Sequence, residues 1–261
     1  MANIRIEFFS NSLMRYVEIE MYIPNDLRTD IQIQHNPYYD RKCKTVFVLH
    51  GFTGFGRGWT NLYELAEKYN FALVFPSGEN SFYLDSEATG GKYGTFIGSE
   101  LIEYIRKTFG LCCAKEDTFI SGLSMGGFGA IHTGLAYPDN FSKIVALSSA
   151  LIIHGISVMK PGDDNGIANY YYYRKYFGDL EKLIDSDNNP ETLVKKLIQQ
   201  NKNIPKIYMA CGTEDFLIKE NRQFYDFLIK QKVDVEYIEC GGGHDMAFWN
   251  EYFSKGFEWM A

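Results

Sequence analysis

The sequence predicts an α/β fold, a mostly parallel central sheet with helices on both faces. Three observations carry this reading. Short, almost unbroken apolar runs such as Thr45–Leu49 and Phe71–Phe75 read as strands covered on both sides. Segments with apolar residues at helical spacing separate these runs, so strand and helix alternate along the chain. Finally, the strand-like run Thr118–Ile120 leads into Gly122-Leu123-Ser124-Met125-Gly126 and then into a small-residue helix. Such an abrupt strand-to-helix turn belongs at the carboxyl edge of such a sheet.

In chain order, residues 3–23 alternate in two runs around Ser10-Asn11-Ser12, which predicts an antiparallel hairpin at a sheet edge. Residues 24–44 show no periodic pattern and read as a connection, with a short strand conceivable at Ile31–Ile33. Thr45–Leu49 is a central strand that runs into the glycine-rich His50-Gly51-Phe52-Thr53-Gly54. A helix over Trp59–Tyr69, a buried strand over Phe71–Phe75 and a loop over Ser77–Tyr93 follow. Thr95–Phe109 is a helix with Ile97, Leu101, Ile102 and Ile105 on its buried side.

After the turn at Ser124, Lys143–Ser148 is the next strand. Residues 152–187, with four consecutive tyrosines at 170–173, read as a small cap inserted above the sheet edge. A helix (Glu191–Gln200), a strand (Lys206–Cys211), a helix (Lys219–Lys232), a strand (Val235–Cys240) and an aromatic helix (Trp249–Trp259) complete the order. At 261 residues and 46% hydrophobic, the chain reads as one domain over 1–261.

Composition narrows the function. A net charge of −7 with scattered basic residues argues against nucleic acid and against an anionic membrane surface as partners. No charged-then-apolar leader and no run long enough to span a membrane is evident, so a cytoplasmic location is expected. Five cysteines, an odd number with no C-x-x-C, are read as reduced. No histidine pair has the spacing of a zinc site, so neither metal nor cofactor is expected.

The chemistry centres on Ser124. A strained turn lifts its hydroxyl to the sheet edge, and the backbone N–H of Met125 at a helix N-terminus suits an oxyanion. A serine hydroxyl needs a base, and the base needs an orienting acid. Among five histidines, His244 in the glycine loop Gly241–Gly243 follows the last strand, where it can reach the serine. Asp215 follows the preceding strand, and Glu214 is its competitor for the role of acid. The order Ser124, Asp215, His244 is that of α/β-hydrolases. His50 is read as a hydrogen-bonding support of its loop, and the backbone N–H of Phe52 as the second oxyanion donor. Phe55, Trp59, Tyr83 and Tyr172 are taken as substrate-binding, with Tyr38, Tyr39, Phe82 and the rest of the tyrosine run as further candidates.

On Leu49–Gly54, Gly122–Ala130, Tyr176–Asp179, Gly212–Asp215 and Gly243–Asp245, the chain resembles the esterase D family of α/β-hydrolases, most closely its bacterial tributyrin-esterase group. Feruloyl esterases, acetylxylan esterases and S-formylglutathione hydrolases are relatives within that superfamily. The resemblance implies hydrolysis of short-chain acyl esters, acetyl to butyryl, or of feruloyl or acetylated sugar esters, through an acyl-serine. S-formylglutathione hydrolases usually carry histidines where this chain has Leu123 and Phe128, and a cysteine where it has Gly54, which weakens a thioesterase reading. Acyl transfer to an alcohol and a non-catalytic binding module are the alternatives. The sequence leaves the oligomeric state open, a homo-oligomer included.

Overall fold

The computed structural model describes residues 1–24 and 36–261. Eight strands form one sheet in the order β1-β2-β4-β3-β5-β6-β7-β8. The ranges are β1 Ala2–Ser10, β2 Arg15–Ile23, β3 Lys44–Leu49, β4 Phe71–Pro76, β5 Thr118–Leu123, β6 Lys143–Leu147, β7 Lys206–Gly212 and β8 Val235–Cys240. β1 and β2 pair antiparallel, as does β2 with β4, and the remaining pairs are parallel. The suggested strand at Ile31–Ile33 and the side chain of His35 lie outside the described residues.

Strand composition follows position. The edge strand β1 turns Ile4, Ile6 and Phe8 inward and Asn3, Arg5 and Glu7 outward, the period of two expected of a half-covered strand. β4 and β5 are buried at every residue, because helices cover both faces there. Phe47 and Leu49 of β3 belong to the core on one face, and Val46 and Val48 to the core on the other.

The helices are α1 Tyr63–Tyr69, α2 Leu101–Phe109, α3 Met125–Ala136, α4 Tyr170–Phe177, α5 Pro190–Gln199, α6 Ile218–Lys230 and α7 Met246–Met260. α1 and α7 pack on one face through Ala66, Tyr69, Phe253 and Phe257. α2, α3 and α5 pack on the other. The expected helix from Thr95 begins as a turn at Tyr93–Thr95 and passes through a π-turn, Phe96–Glu100, before α2. Between β6 and α5 the chain makes a helical turn at Ile153–Ile156, then α4 and a 3-10 segment at Leu180–Asp185, over the carboxyl edge of the sheet. Among the described residues no helix is long and apolar enough to cross a membrane.

Candidate active site

β5 ends at Leu123, and Ser124 follows with φ 54° and ψ −119°, outside the helical and extended regions a serine ordinarily adopts. The turn is possible because two neighbours lack a side chain. A Cβ on Gly122 would stand 2.3 Å from the carbonyl oxygen of Gly126, and one on Gly126 would stand 2.1 Å from that of Leu49. The Ser124 N–H donates to the Leu147 carbonyl at 2.8 Å, and the Ser124 carbonyl accepts from Phe128 and Ala150 at 3.1 and 3.0 Å. Sheet and helix therefore both hold the elbow.

The structure brings three side chains from distant loops together. His244 Nε2 lies 2.9 Å from Ser124 Oγ, and His244 Nδ1 lies 2.9 Å from Asp215 Oδ2. Asp215 is 2% exposed, and its Oδ1 accepts the Leu217 N–H at 2.9 Å. Burial pushes its carboxyl upward, but the bonds from His244, from Leu217 and from the Ser148 hydroxyl outweigh burial and hold it below the usual aspartate value. An ionised Asp215 accepts the Nδ1–H of His244, which leaves Nε2 free to take a proton from Ser124. Glu214 turns away, and its carboxylate accepts the backbone N–H of Gly242 in the loop that carries His244.

The loop after β3 folds across the serine. Gly54 N–H closes a tight turn onto the Gly51 carbonyl at 3.0 Å, and Thr53, at φ 63°, donates its N–H to Asn80 Oδ1 at 2.8 Å. Among the described residues no hydrogen bond takes up the backbone N–H of Phe52. Met125 is the first residue of α3, where the backbone N–H has no intrahelical partner. His50 is buried beneath this loop. Gly78 N–H donates to its Nε2 at 2.9 Å, so Nδ1 carries the proton and donates to the Gly51 carbonyl at 2.8 Å. Burial lowers the His50 pKa, so the ring stays neutral and supports the loop.

The "Putative esterase" family model matches residues 24–260. The chain belongs to this esterase family. It is 46% identical over 264 residues to an acetyl esterase of Caldicellulosiruptor saccharolyticus, with 100% of this chain and 98% of that protein covered. Among solved structures it is similar to FphF, a fluorophosphonate-binding serine hydrolase of Staphylococcus aureus. Identity is 25% and the TM-score 0.83, over 99% of this chain and 98% of that one. It is also similar to the S-formylglutathione hydrolase FrmB of the same organism, with 26% identity and a TM-score of 0.81 over 99% and 98% of the two chains. The esterase is a serine hydrolase of the carboxylesterase class on an α/β-hydrolase fold.

A cavity of about 630 Å³ opens above Ser124. Its wall is predominantly aromatic and aliphatic, and the large side chains Phe55, Phe216, Ile167 and Met246 at the wall are substantially solvent-exposed. Phe55 and Trp59, two of the residues expected to bind substrate, line it, and so do Phe52 and Met125, the expected oxyanion donors. Two expected lining residues do not. Tyr83 is fully buried behind the elbow, where its hydroxyl donates to the His50 carbonyl at 2.9 Å, while its neighbour Phe82 faces the cavity. Successive φ values of 54° and 57° at Phe82 and Tyr83 set which ring turns which way. Tyr172 stands edge-on to Phe52 and donates its hydroxyl to the Asn80 carbonyl, and Tyr173, about 100° further round α4, reaches the cavity instead. Tyr38 and Tyr39 pack beside α1, against Tyr69 and the Glu67 carbonyl.

Sequence reasoning missed Phe216, Met246 and Trp249 in this wall. Phe216 adjoins Asp215, and its ring lies 4.5 Å from that of His244. Proximity of these three residues to Asp215 and His244 along the chain was the available signal. The other described histidines are occupied elsewhere: His132 bonds the Asp187 carbonyl and His154 bonds Glu191, each at 2.9 Å. Among the described residues no group of three His, Cys, Asp or Glu side chains is arranged to hold a metal ion.

Proposed function

We propose that this esterase hydrolyses short-chain acyl esters, acetyl to butyryl, with Ser124 as nucleophile, His244 as general base and acid, and Asp215 as the orienting carboxylate. The observation that carries the reading is the unbroken pair of 2.9 Å contacts from Ser124 Oγ through His244 to Asp215 Oδ2. Ser124 Oγ attacks the ester carbonyl carbon as His244 Nε2 takes the hydroxyl proton. Negative charge then develops on the carbonyl oxygen, facing the backbone N–H groups of Phe52 and Met125 at the N-terminus of α3. Losing one donor of this kind costs roughly 10²–10³ in rate. His244 returns its proton to the leaving alcohol, and a water molecule repeats the sequence on the acyl-serine.

The acyl preference draws on the acetyl esterase relative, 46% identical over the whole chain. Trp59, Phe55, Phe82 and Tyr173 are proposed to contact the bound ester through the apolar wall they contribute to. The substrate is thus a small ester, and a cytoplasmic setting is consistent with reduced cysteines. The test is turnover of p-nitrophenyl acetate and butyrate together with labelling by a fluorophosphonate probe. Wild-type protein turns over and is labelled; Ser124→Ala does neither and retains its fold by circular dichroism. Turnover by Ser124→Ala at the wild-type rate overturns the assignment.

A further inference from the structure

The turn that follows β6 touches Ser124 and the elements on either side of the loop that bears Asp215. The Leu147 carbonyl and the Ala150 N–H hold the two backbone groups of Ser124. Ser148 N–H donates to the Ala210 carbonyl of β7 at 2.8 Å, just before the loop of Asp215. The buried side chain of Asn221 takes both backbone groups of Ser149, at 3.2 and 2.9 Å, and so ties the turn to α6 directly after that loop.

Ser148 itself is fully buried at φ 46°, a left-handed conformation that a serine keeps only when its surroundings impose it. Ser148 Oγ accepts the indole N–H of Trp249 at 3.0 Å, which leaves its own proton for one of the two groups beside it, the Asp215 carboxylate or the Cys211 thiol. The same indole stands edge-on to the His244 ring, with centroids 4.9 Å apart and planes at 85°.

We propose that Ser148 and Trp249 are a pair of positioning residues in which the Trp249 N–H, the Ser148 O–H and the Asp215 carboxylate form one hydrogen-bonded chain, while the Trp249 ring walls the imidazole of His244. One pair thereby fixes both the acid and the base. The proposal rests on the assignment of Ser124, His244 and Asp215 given under Proposed function.

Chemistry favours the carboxylate as the acceptor of the Ser148 proton. The other group beside it, the Cys211 thiol of β7, is pushed up to about 12 by burial and stays neutral. A neutral thiol is a weak acceptor, whereas a bond from a hydroxyl to an ionised carboxylate is stronger than one between neutral groups. The titratable groups facing Asp215 are then His244, from the loop after β8, and Cys211 on β7, the strand before its loop. Removing the Ser148 hydroxyl leaves the carboxylate more basic toward His244 and free to rotate.

The experiment compares Ser148→Ala, Trp249→Phe and the double variant in steady-state hydrolysis of p-nitrophenyl acetate across pH, with thermal melts to establish folding. Fluorophosphonate labelling that is present in wild type and lost in Ser124→Ala tests the triad reading separately. Ser148 does not line the cavity, so Ser148→Ala keeps KM. Its kcat falls roughly three- to tenfold, the loss of one ordinary hydrogen bond. Its acid limb moves to higher pH. Trp249→Phe keeps a ring, lacks the N–H and lowers kcat in the same sense, and the double variant is no slower than the slower single. Wild-type kcat and pH profile in both folded variants, or additive losses in the double, overturn the proposal. Should Ser148→Ala fail to fold, kcat and the acid limb of Trp249→Phe decide alone.

Discussion

The imidazole of His244 and the hydroxyl of Ser124 meet at 2.9 Å across 120 residues of chain. They do so because β5 and β8 deliver their following loops to the same edge of the sheet. Asp215 reaches His244 from the loop after β7, which lies between β6 and β8. The three side chains thus sit on three separate loops, and the sheet sets the distances.

This arrangement separates two adjacent acids. Asp215→Asn keeps the shape of the side chain but cannot hold the imidazole in the tautomer that frees Nε2. Its kcat for p-nitrophenyl acetate is expected to fall roughly 10⁴-fold. Glu214→Gln retains an acceptor for the Gly242 N–H and leaves kcat close to wild type. Equal losses in the two variants would contradict the assignment of Asp215.

Asn80 ties the loop over the serine to α4. Its side chain accepts the Thr53 N–H, and its carbonyl accepts the Tyr172 hydroxyl, whose ring braces Phe52. Asn80→Ala frees Thr53 from its left-handed conformation and lets the Phe52 N–H wander from the position proposed for it in the transition state. A roughly tenfold fall in kcat with KM nearly constant is expected, equivalent to about 1.4 kcal/mol of lost transition-state stabilisation. Unaltered kcat in a correctly folded variant would remove Phe52 from the oxyanion reading.

Gly126→Ala tests the elbow as a packing problem. The added methyl lands 2.1 Å from the Leu49 carbonyl oxygen, which belongs to a central strand and cannot retreat. A loss of about 3 kcal/mol or more is expected, at the upper end of what overpacking costs. Chemical denaturation reads this directly, and a variant as stable as wild type would mean that α3 can shift away from β3.

The alternation of strands and helices, and the positions of Ser124, Asp215 and His244 just after strands, were legible because they depend on coarse signals. Unbroken apolar runs marked β3 and β4 as buried strands, and glycine spacing marked the elbow. Which of two neighbouring aromatics faces the cavity was not legible. Phe82 and Tyr83 are alike in composition terms, and only the two positive φ values between them decide the outcome. Tyr172 and Tyr173 differ by one step around α4, a rotation fixed by tertiary packing. Trp249 read as the start of an aromatic helix, because nothing in the sequence placed the first turn of α7 beside His244. Ser148 carried no signal at all, since its role depends on a backbone conformation that sequence does not announce.

Glu100 supplies a prediction away from the chemistry. Its carboxylate lies below the hairpin between β1 and β2, accepting the Ser10 hydroxyl at 2.7 Å and the backbone N–H groups of Asn11 and Ser12 at 2.6 and 3.1 Å. Burial raises the carboxyl, but these bonds together hold it below the ordinary glutamate value. A carboxyl depressed in the folded state stabilises the fold above its unfolded pKa, and that contribution disappears as pH falls through the folded value. Glu100→Gln replaces charge-assisted acceptors with a neutral amide, at a cost of about 1–2 kcal/mol at this half-buried site. In a chain of this size that lowers Tm by roughly 2–8 °C at pH 7. Thermal melts of both proteins from pH 7 to below pH 4 should show the gap narrowing as wild-type Glu100 takes up its proton. A gap that stays constant over that range would mean that the charge on Glu100 does not hold the hairpin turn.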